Sequence, residues 1–188
     1  MTGTNYEMAK WAKEAGEAAG AEVKLLRVEE LASQEVIDSN EPWKNTYNTI
    51  KDIPVATAED IDWADALIFS TPTRFGMISS QMKQFIDTLG GLWAQGKTIN
   101  KAVSAMTSAN NANGGQEATL LSFYTTMMHW GAVIVPPGYT SDKIAPAGGN
   151  PYGTSATLNE DGSIKEEVRP AVEHQVKRTL EIATKINQ

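Results

Sequence analysis

Three short polar segments carry residue types that can hold a phosphate and a flat ring. Thr2-Gly3-Thr4-Asn5 offers hydroxyls, an amide and backbone N–H groups directly before a helix, which suits a phosphate. Thr71-Pro72-Thr73-Arg74-Phe75-Gly76 is a turn whose fixed backbone and phenyl ring can contact a flat ring. The segment from Ser108 to Gly115 is rich in asparagine, and Gly114 and Gly115 allow close backbone approach. Taken singly, a capped helix start, a solvated arginine turn and a flexible loop remain alternatives.

Two single residues also stand out from their surroundings. Trp93 follows the Gly90-Gly91 pair outside any helical stripe, so it either covers a ring ligand or buries itself in a subunit contact. His129, one of two histidines, ends a predicted helix beside Trp130. For His129 a helix-end or packing role is the alternative to a role in a site.

Several kinds of chemistry have no motif in this chain. GxGxxG is absent, which argues against dinucleotide binding of the Rossmann type. No GxSxG elbow anchors a hydrolase triad. With no cysteine, two distant histidines and no EF-hand or HExxH pattern, we expect no metal site.

The elements that would position these segments alternate along the chain. Helices are predicted over about 5–19, from Ser79 to the Gly90-Gly91 pair, over 116–130 and in the last stretch from Val168; strands are predicted over 21–28, 64–70, 102–106 and 132–136. The alternation predicts a doubly wound α/β fold with a parallel sheet. Ligands bind at the carboxyl ends of such strands, so the polar segments should meet there.

Length and charge favour one small globular domain. At 188 residues the chain suits a single domain, 1–188, with an extended insertion at about 34–56 and a loop insertion at about 137–164. The 16 basic and 23 acidic residues give a net charge of -7, the wrong sign for binding nucleic acid. No apolar run approaches the roughly 20 residues that span a bilayer, and no export signal is present, so we expect no membrane insertion and a cytoplasmic location.

Five motifs together resemble one family. TPTRFG (71–76), SSQMKQFIDTLGGLWAQGK (79–97), NGGQEATL (113–120), HWGAVIVPPGY (129–139) and GGNPYG (148–153) occur at matching spacing. They make the chain similar to the WrbA family of flavodoxin-like NAD(P)H:quinone oxidoreductases. The resemblance implies a five-stranded parallel sheet in the order 2-1-3-4-5, bound FMN, NAD(P)H as electron donor, a quinone substrate reduced by two electrons, and a homodimer or homotetramer.

The resemblance also assigns roles to individual positions. His129 matches the family's flavin-site histidine and is the candidate catalytic residue, while Trp93 and Phe75 match the walls of the substrate cavity, the tryptophan often from a neighbouring subunit. Thr2 also matches a position near the nicotinamide nucleotide. The implied cofactor-binding positions are Thr2, Gly3, Thr4, Asn5, Pro72, Thr73, Arg74, Phe75, Gly76, Ser108, Asn113, Gly114, Gly115 and His129.

The chain departs from the family pattern in two places. The loop from Ser108 to Gly115 is about one residue longer than its family counterpart, and Met1 stands where the phosphate loop is already under way. In the flavodoxin order, the family's first strand would lie between strands 21–28 and 64–70. We therefore expect the functional protein to carry a strand upstream of Met1.

Three rival functions differ from the reductase. A one-electron carrier of the flavodoxin type would dock to redox proteins through the acidic surface, but Trp93 and the insertions favour a walled cavity and hence the enzyme. A cofactor-free interaction module is a second rival. A response-regulator receiver would share the strand order, yet the acidic cluster and lysine loop that it needs are missing from the sequence.

Overall fold

A computed structural model describes residues 3–188 as a parallel sheet flanked by helices. The helices are α1 (Thr4–Ala18), α2 (Gln34–Asp38), α3 (Glu41–Ile50), α4 (Ala58–Trp63), α5 (Ser80–Thr88), α6 (Gly90–Ala94), α7 (Gln116–His129) and α8 (Arg169–Ile186); the strands are β1 (Ala66–Pro72), β2 (Ala102–Ala109), β3 (Val133–Ile134) and β4 (Ser155–Thr157). The predicted parallel α/β architecture is confirmed.

The strand β2 is the centre of the sheet. It pairs in parallel with β1 along its whole length, from Ala66 opposite Ala102 to Pro72 opposite Ser108. Its other edge is shared, because β3 pairs with its first residues and β4 with its last. The order β1-β2-β3 therefore accounts for the last three positions of the predicted 2-1-3-4-5 sheet.

Burial on both faces of β2 explains why its sequence, AVSAMTSA, contains only apolar and small hydroxyl residues and no charge. One face packs against α5 and α7 through a cluster that includes Phe69, Ile86 and Phe123. The other packs against α1 and α8 through a cluster that includes Met8 and Val172. Two helical layers thus hold the sheet, and α7 crosses from one end of it to the other.

The segment 21–28 is not the strand that its partial alternation predicts. It forms one isolated parallel bridge, between Arg27 and Val55, with the Arg27 N–H donating to the Pro54 carbonyl at 3.0 Å. On its other side a cleft of about 1450 Å³ separates 21–28 from β1. A ladder needs a neighbouring backbone at about 4.8 Å, and none of the described residues supplies one there, so the segment is extended but not a strand.

Three other predictions of local structure were wrong. The region 34–56 is not extended: it folds into α2 and α3, whose starts are capped by the side chains of Ser33 and Asn40. The region 137–164 is not only loop, because it contributes β4. The Gly90-Gly91 pair does not end the helical region but begins α6, which contains Trp93. Among the helices of residues 3–188, none is both long and apolar enough to cross a membrane.

Candidate functional site

The start of α1 is tied to the carboxyl ends of two strands through Asn5. The Asn5 side-chain amide donates to the Ser108 hydroxyl at 2.8 Å. The Ser70 hydroxyl donates to the Asn5 backbone carbonyl at 2.9 Å. Gly3 precedes the helix with φ 81° and Thr4 is buried, whereas Thr2 lies outside the described residues. The first polar segment is therefore brought to the sheet edge as the sequence predicts.

Ser70 is a residue that sequence reasoning missed. It is the first hydroxyl residue after the apolar run 66–69 of β1, and a hydroxyl at that point is the signal that could have marked it. Its bonds to Asn5 connect β1 to α1, and among the described residues no other β1 side chain forms a hydrogen bond to that helix.

The turn after β1 presents its peptide groups outward. Arg74 and Met77 exchange two backbone hydrogen bonds, of 2.8 and 2.9 Å, and leave Phe75 and Gly76 between them at φ 52° and 78°. A positive φ is uncommon for a phenylalanine, and the Phe75 side chain is fully exposed. Within residues 3–188, the N–H groups of Phe75 and Gly76 donate to no other group. The turn thus offers two free donors beside an exposed ring.

The third segment is a compact turn that touches the second. Gln116 and Gly114 both donate to the Asn111 carbonyl, at 2.9 and 3.1 Å, and the Asn113 N–H donates to the Asn111 side chain at 3.0 Å. Gly115 lies at φ 92° immediately before α7. A Cβ on Gly115 would stand 3.0 Å from the Cα of Gly76, so only glycine allows the two segments to approach this closely.

The donor set of this edge fits FMN. The first-turn N–H groups of α1 and α7 lack helical acceptors and point to the same edge, which suits a phosphate and polar ring atoms. The free amides of Phe75 and Gly76 add neutral donors, and the Arg74 guanidinium, which donates to the Thr73 carbonyl at 3.0 Å, adds a positive charge. Neutral peptide donors with one cation are appropriate to a ligand with an anionic tail and an uncharged ring. Within residues 3–188 no group of three or more His, Cys, Asp or Glu side chains is placed to hold a metal ion.

Trp93 and His129 lie together, but at the opposite edge of the sheet. The indole N–H of Trp93 donates to the His129 carbonyl at 2.9 Å. Helix α7 begins where β2 ends and its 14 residues cover about 21 Å, so His129 reaches the amino end of β2. The Asn100 N–H, just before β2, donates to the Gly131 carbonyl at 3.0 Å and fixes this placement. Within one chain the structure therefore separates Trp93 and His129 from Phe75 and the other predicted cofactor positions.

The edge of the sheet at which the strands begin, here called the amino edge, has side chains that are open to solvent. Trp93 is 54% exposed, Met128 66% and Ile99 57%, and His129 is also exposed. Apolar side chains grouped in this way are typical of a surface that another protein covers. We call Trp93, Ile99, Met128 and His129 the amino-edge patch.

Comparisons with known proteins agree on the family. Residues 1–146 match the family model described as NADPH-dependent FMN reductase. A relative from Deinococcus radiodurans named NAD(P)H dehydrogenase (quinone) is 56% identical over 98% of this chain and 92% of its own length. A relative of the same name from Geotalea daltonii is 40% identical over 99% of this chain and 94% of its own length.

A solved structure supports the fold. The flavodoxin, WrbA-like protein from Agrobacterium tumefaciens is 21% identical, with a TM-score of 0.59 over 100% of this chain and 92% of that chain. The predicted flavodoxin-like fold is thereby confirmed. On the family match and the extent of identity to its relatives, the chain belongs to the NADPH-dependent FMN reductase family.

Proposed function

We propose that the protein holds FMN at the carboxyl edge of its sheet and uses it to reduce quinones to hydroquinones with NAD(P)H. The observation that carries the proposal is the meeting of the three polar segments, joined by Asn5, Ser70 and Ser108, with the amides of Phe75 and Gly76 left free. The names of the 56% and 40% identical relatives give the donor and the acceptor. Bound FMN would supply the two-electron chemistry between them.

Each segment has a distinct task in this proposal. Gly3, Thr4 and Asn5, with the amino end of α1, receive the phosphate. The turn Pro72–Gly76 lies along the ring and donates its free peptide N–H groups to polar ring atoms. The loop 108–115, including Asn113 and Gly114, closes the other side, where it is in contact with Gly76. The exposed Phe75 ring supplies an apolar wall for a planar guest.

We propose further that Trp93 and His129 serve the site of a second copy of the chain. Both are exposed, His129 lies about 21 Å along α7 from the cofactor segments, and Trp93 is bonded to the His129 carbonyl within a mainly apolar patch. In a homodimer or homotetramer this patch would cover the carboxyl edge of another protomer. Trp93 would then be a wall of the quinone cavity and His129 a hydrogen-bond donor near the acceptor.

Within the family we propose a protein of the WrbA type. The support is the joint presence of PTRFG, GGLW, GGQE and GGNPYG at their quoted spacing. A cytoplasmic location, where NAD(P)H is available, belongs to the same proposal. Fractionation of the native cells, followed by detection of the chain with an antibody, tests the location.

Spectroscopy and turnover test the central proposal. The purified protein, titrated with FMN, should quench flavin fluorescence stoichiometrically and retain the yellow colour after gel filtration. NADH added under argon should bleach it, and benzoquinone should restore the colour and support ping-pong kinetics. A loaded protein that NADH cannot bleach would be a one-electron carrier instead. A protein that ignores FMN would contradict the proposal.

Mixing two defective variants tests the shared site. Trp93→Ala retains the cofactor segments, whereas Gly115→Ala retains the amino-edge patch. If sites are shared between copies, a mixture that has exchanged subunits should regain activity at about a quarter of its sites, because half of the cofactor segments meet half of the intact patches at random. No recovery above the mean of the two separate variants would contradict sharing.

A further inference from the structure

Three buried threonine hydroxyls form a chain beneath the turn that follows β1. The Thr73 and Thr107 hydroxyl oxygens are 3.0 Å apart, and those of Thr119 and Thr73 are 3.1 Å apart. Thr107 and Thr119 are completely buried and Thr73 nearly so. The three residues come from different elements, namely the turn, the strand β2 and the helix α7. We call Thr107, Thr73 and Thr119 the threonine chain.

The Thr119 hydroxyl joins helix α7 to the turn. It lies 2.9 Å from the Gly115 carbonyl, which can only accept. Among the described residues, Thr73 provides the only side-chain contact of the Thr107 hydroxyl. The Thr119 hydroxyl is the donor both to the Thr73 hydroxyl and to the Gly115 carbonyl, whereas in the Thr73–Thr107 pair either hydroxyl can donate.

The threonine chain ends at the glycine where the two cofactor segments touch. Gly115 abuts Gly76 closely enough that a Cβ would meet backbone at 3.0 Å. The backbone N–H of Thr73 also donates to the Ser108 carbonyl at 2.9 Å. The turn is thus anchored from below by hydroxyls and from the side by backbone. Because the Thr73 hydroxyl is engaged inside the protein, the turn has its backbone, rather than this side chain, to offer to a ligand.

We propose that Thr107 and Thr119 are positioning residues that set the turn 72–76 against the loop 108–115 and so fix the spacing of the two segments that hold the ring. This inference rests on the proposed binding of FMN. Neither residue is among the positions that the family motifs assign to the cofactor, and neither needs to touch it. Loss of one hydroxyl from the buried chain would leave a polar neighbour without a partner and loosen the turn.

Helix α8 contains a matched comparison. Thr179 is completely buried, and its hydroxyl donates to the Gln175 carbonyl one turn earlier at 2.7 Å, as that of Thr119 does to Gly115. Among the described residues Thr179 forms no hydrogen bond with either cofactor segment, so its hydroxyl has the helical part of the role alone. Thr179→Val therefore reproduces the loss of a buried hydroxyl without breaking the threonine chain.

The test compares Thr119→Val, Thr119→Ser and Thr179→Val in the full chain. Thr119→Val should weaken FMN binding about tenfold by fluorescence titration and change the visible circular dichroism of the bound flavin, since a tenfold change follows the loss of one buried hydrogen bond. Thr119→Ser, which retains the hydroxyl, should restore both within about twofold. Thr179→Val should lower the melting temperature but leave FMN affinity and the flavin spectrum unchanged.

Hydrogen exchange in the ligand-free protein gives a second readout. Amides of peptide 72–79 should exchange faster in Thr119→Val than in Thr179→Val, because only the former releases the turn. Equal FMN affinities in the two valine variants, or a serine variant as weak as Thr119→Val, would overturn the inference. If the wild-type chain binds no FMN, the proposed function fails, while the exchange comparison still decides whether the threonine chain anchors the turn.

Discussion

The two edges of the sheet differ in the groups that they leave available for contact: peptide N–H groups at the carboxyl edge, and apolar and aromatic side chains at the amino edge. At the carboxyl edge the side chains of Asn5, Ser70 and Ser108 bond to neighbours, and peptide N–H groups are left free. At the amino edge the backbone carbonyls of His129 and Trp130 accept bonds from the Trp93 indole N–H and the Thr98 hydroxyl, and the faces of the exposed Trp93, Ile99 and Met128 side chains are left open to solvent.

This difference suits the carboxyl edge to binding a polar ligand and the amino edge to contact with a protein or a planar substrate. Peptide donors held rigidly by buried hydroxyls suit a polar ligand that must stay in place. Exposed aromatic and apolar side chains suit contact with another protein or a transient planar guest. We therefore expect variants at the carboxyl edge to change cofactor affinity, and variants at the amino edge to change acceptor kinetics.

The largest expected effect is that of Gly115→Ala. Its Cβ would lie 3.0 Å from the Gly76 backbone and would force the turn and loop apart, so FMN affinity should fall by at least about thirtyfold, with strain at φ 92° adding to the cost. Fluorescence titration measures the affinity.

Gly20→Ala is the control for that variant. Gly20 has a similar φ of 84° at the end of α1, but a Cβ there meets nothing within 4 Å. It should share the backbone strain and leave FMN affinity unchanged. Equal losses of affinity in the two variants would mean that strain, and not contact between the cofactor segments, controls binding.

Trp93→Ala should have the next largest effect, confined to the acceptor. The quinone kcat/KM should fall about tenfold through the loss of an aromatic wall, while the FMN affinity stays within about twofold because the carboxyl edge is untouched. Steady-state kinetics with benzoquinone at saturating NADH, beside an FMN titration, measures both.

Trp63→Ala provides the comparison for the loss of a tryptophan. Trp63 is 44% exposed, and it ends α4 beneath the Lys24 ammonium rather than in the amino-edge patch. It should leave quinone kinetics near those of the wild type. A loss of FMN affinity in Trp93→Ala would break the separation between the two edges.

The sequence predicted best what continuous burial or strong motifs encode. The strands 64–70 and 102–106 were predicted correctly because β2 is buried along almost its whole length and β1 alternates between buried and half-buried positions. The Ser79 cap and the start at Gln116 placed two helices correctly. The helices α2 and α3 were missed because their apolar positions show no sustained period. Their signals were local, a serine and an asparagine cap, with proline in the first turn of α3.

The site was predicted in part, for a physical reason. Segments that follow parallel strands converge because all such strands end at one edge, and this allowed the positions near Asn5, Phe75 and Gly115 to be grouped. The partners Ser70 and Thr119 depend on which neighbouring atoms meet, which spacing along the chain does not encode. His129 lies at the amino edge because α7 is 14 residues long. The helix predicted over 116–130 already had about this length.

Tyr124 lies between the two edges and gives the smallest of these effects. Burial raises the pKa of Tyr124 to about 12, and the hydrogen bond from the Ala105 N–H lowers this pKa by a smaller amount. Its hydroxyl also donates to the Tyr152 carbonyl at 2.7 Å. The folded state therefore favours the neutral phenol, and the resulting stability is complete below the unfolded pKa of about 10 and is lost as the pH rises towards 12.

Guanidinium unfolding at two pH values measures this loss. The free energy of unfolding of the wild type should fall by about 0.8 kcal/mol more than that of Tyr124→Phe between pH 9 and pH 10.5, as proton linkage requires for these two pKa values. The variant has a constant cost in the free energy of unfolding from its lost hydroxyl, and this cost cancels when the changes between the two pH values are compared.

Because α7 begins at one edge and ends at the other, circular dichroism and tryptophan fluorescence should report one transition. Two separate transitions would show that the edges are joined less firmly than the buried face of α7 implies.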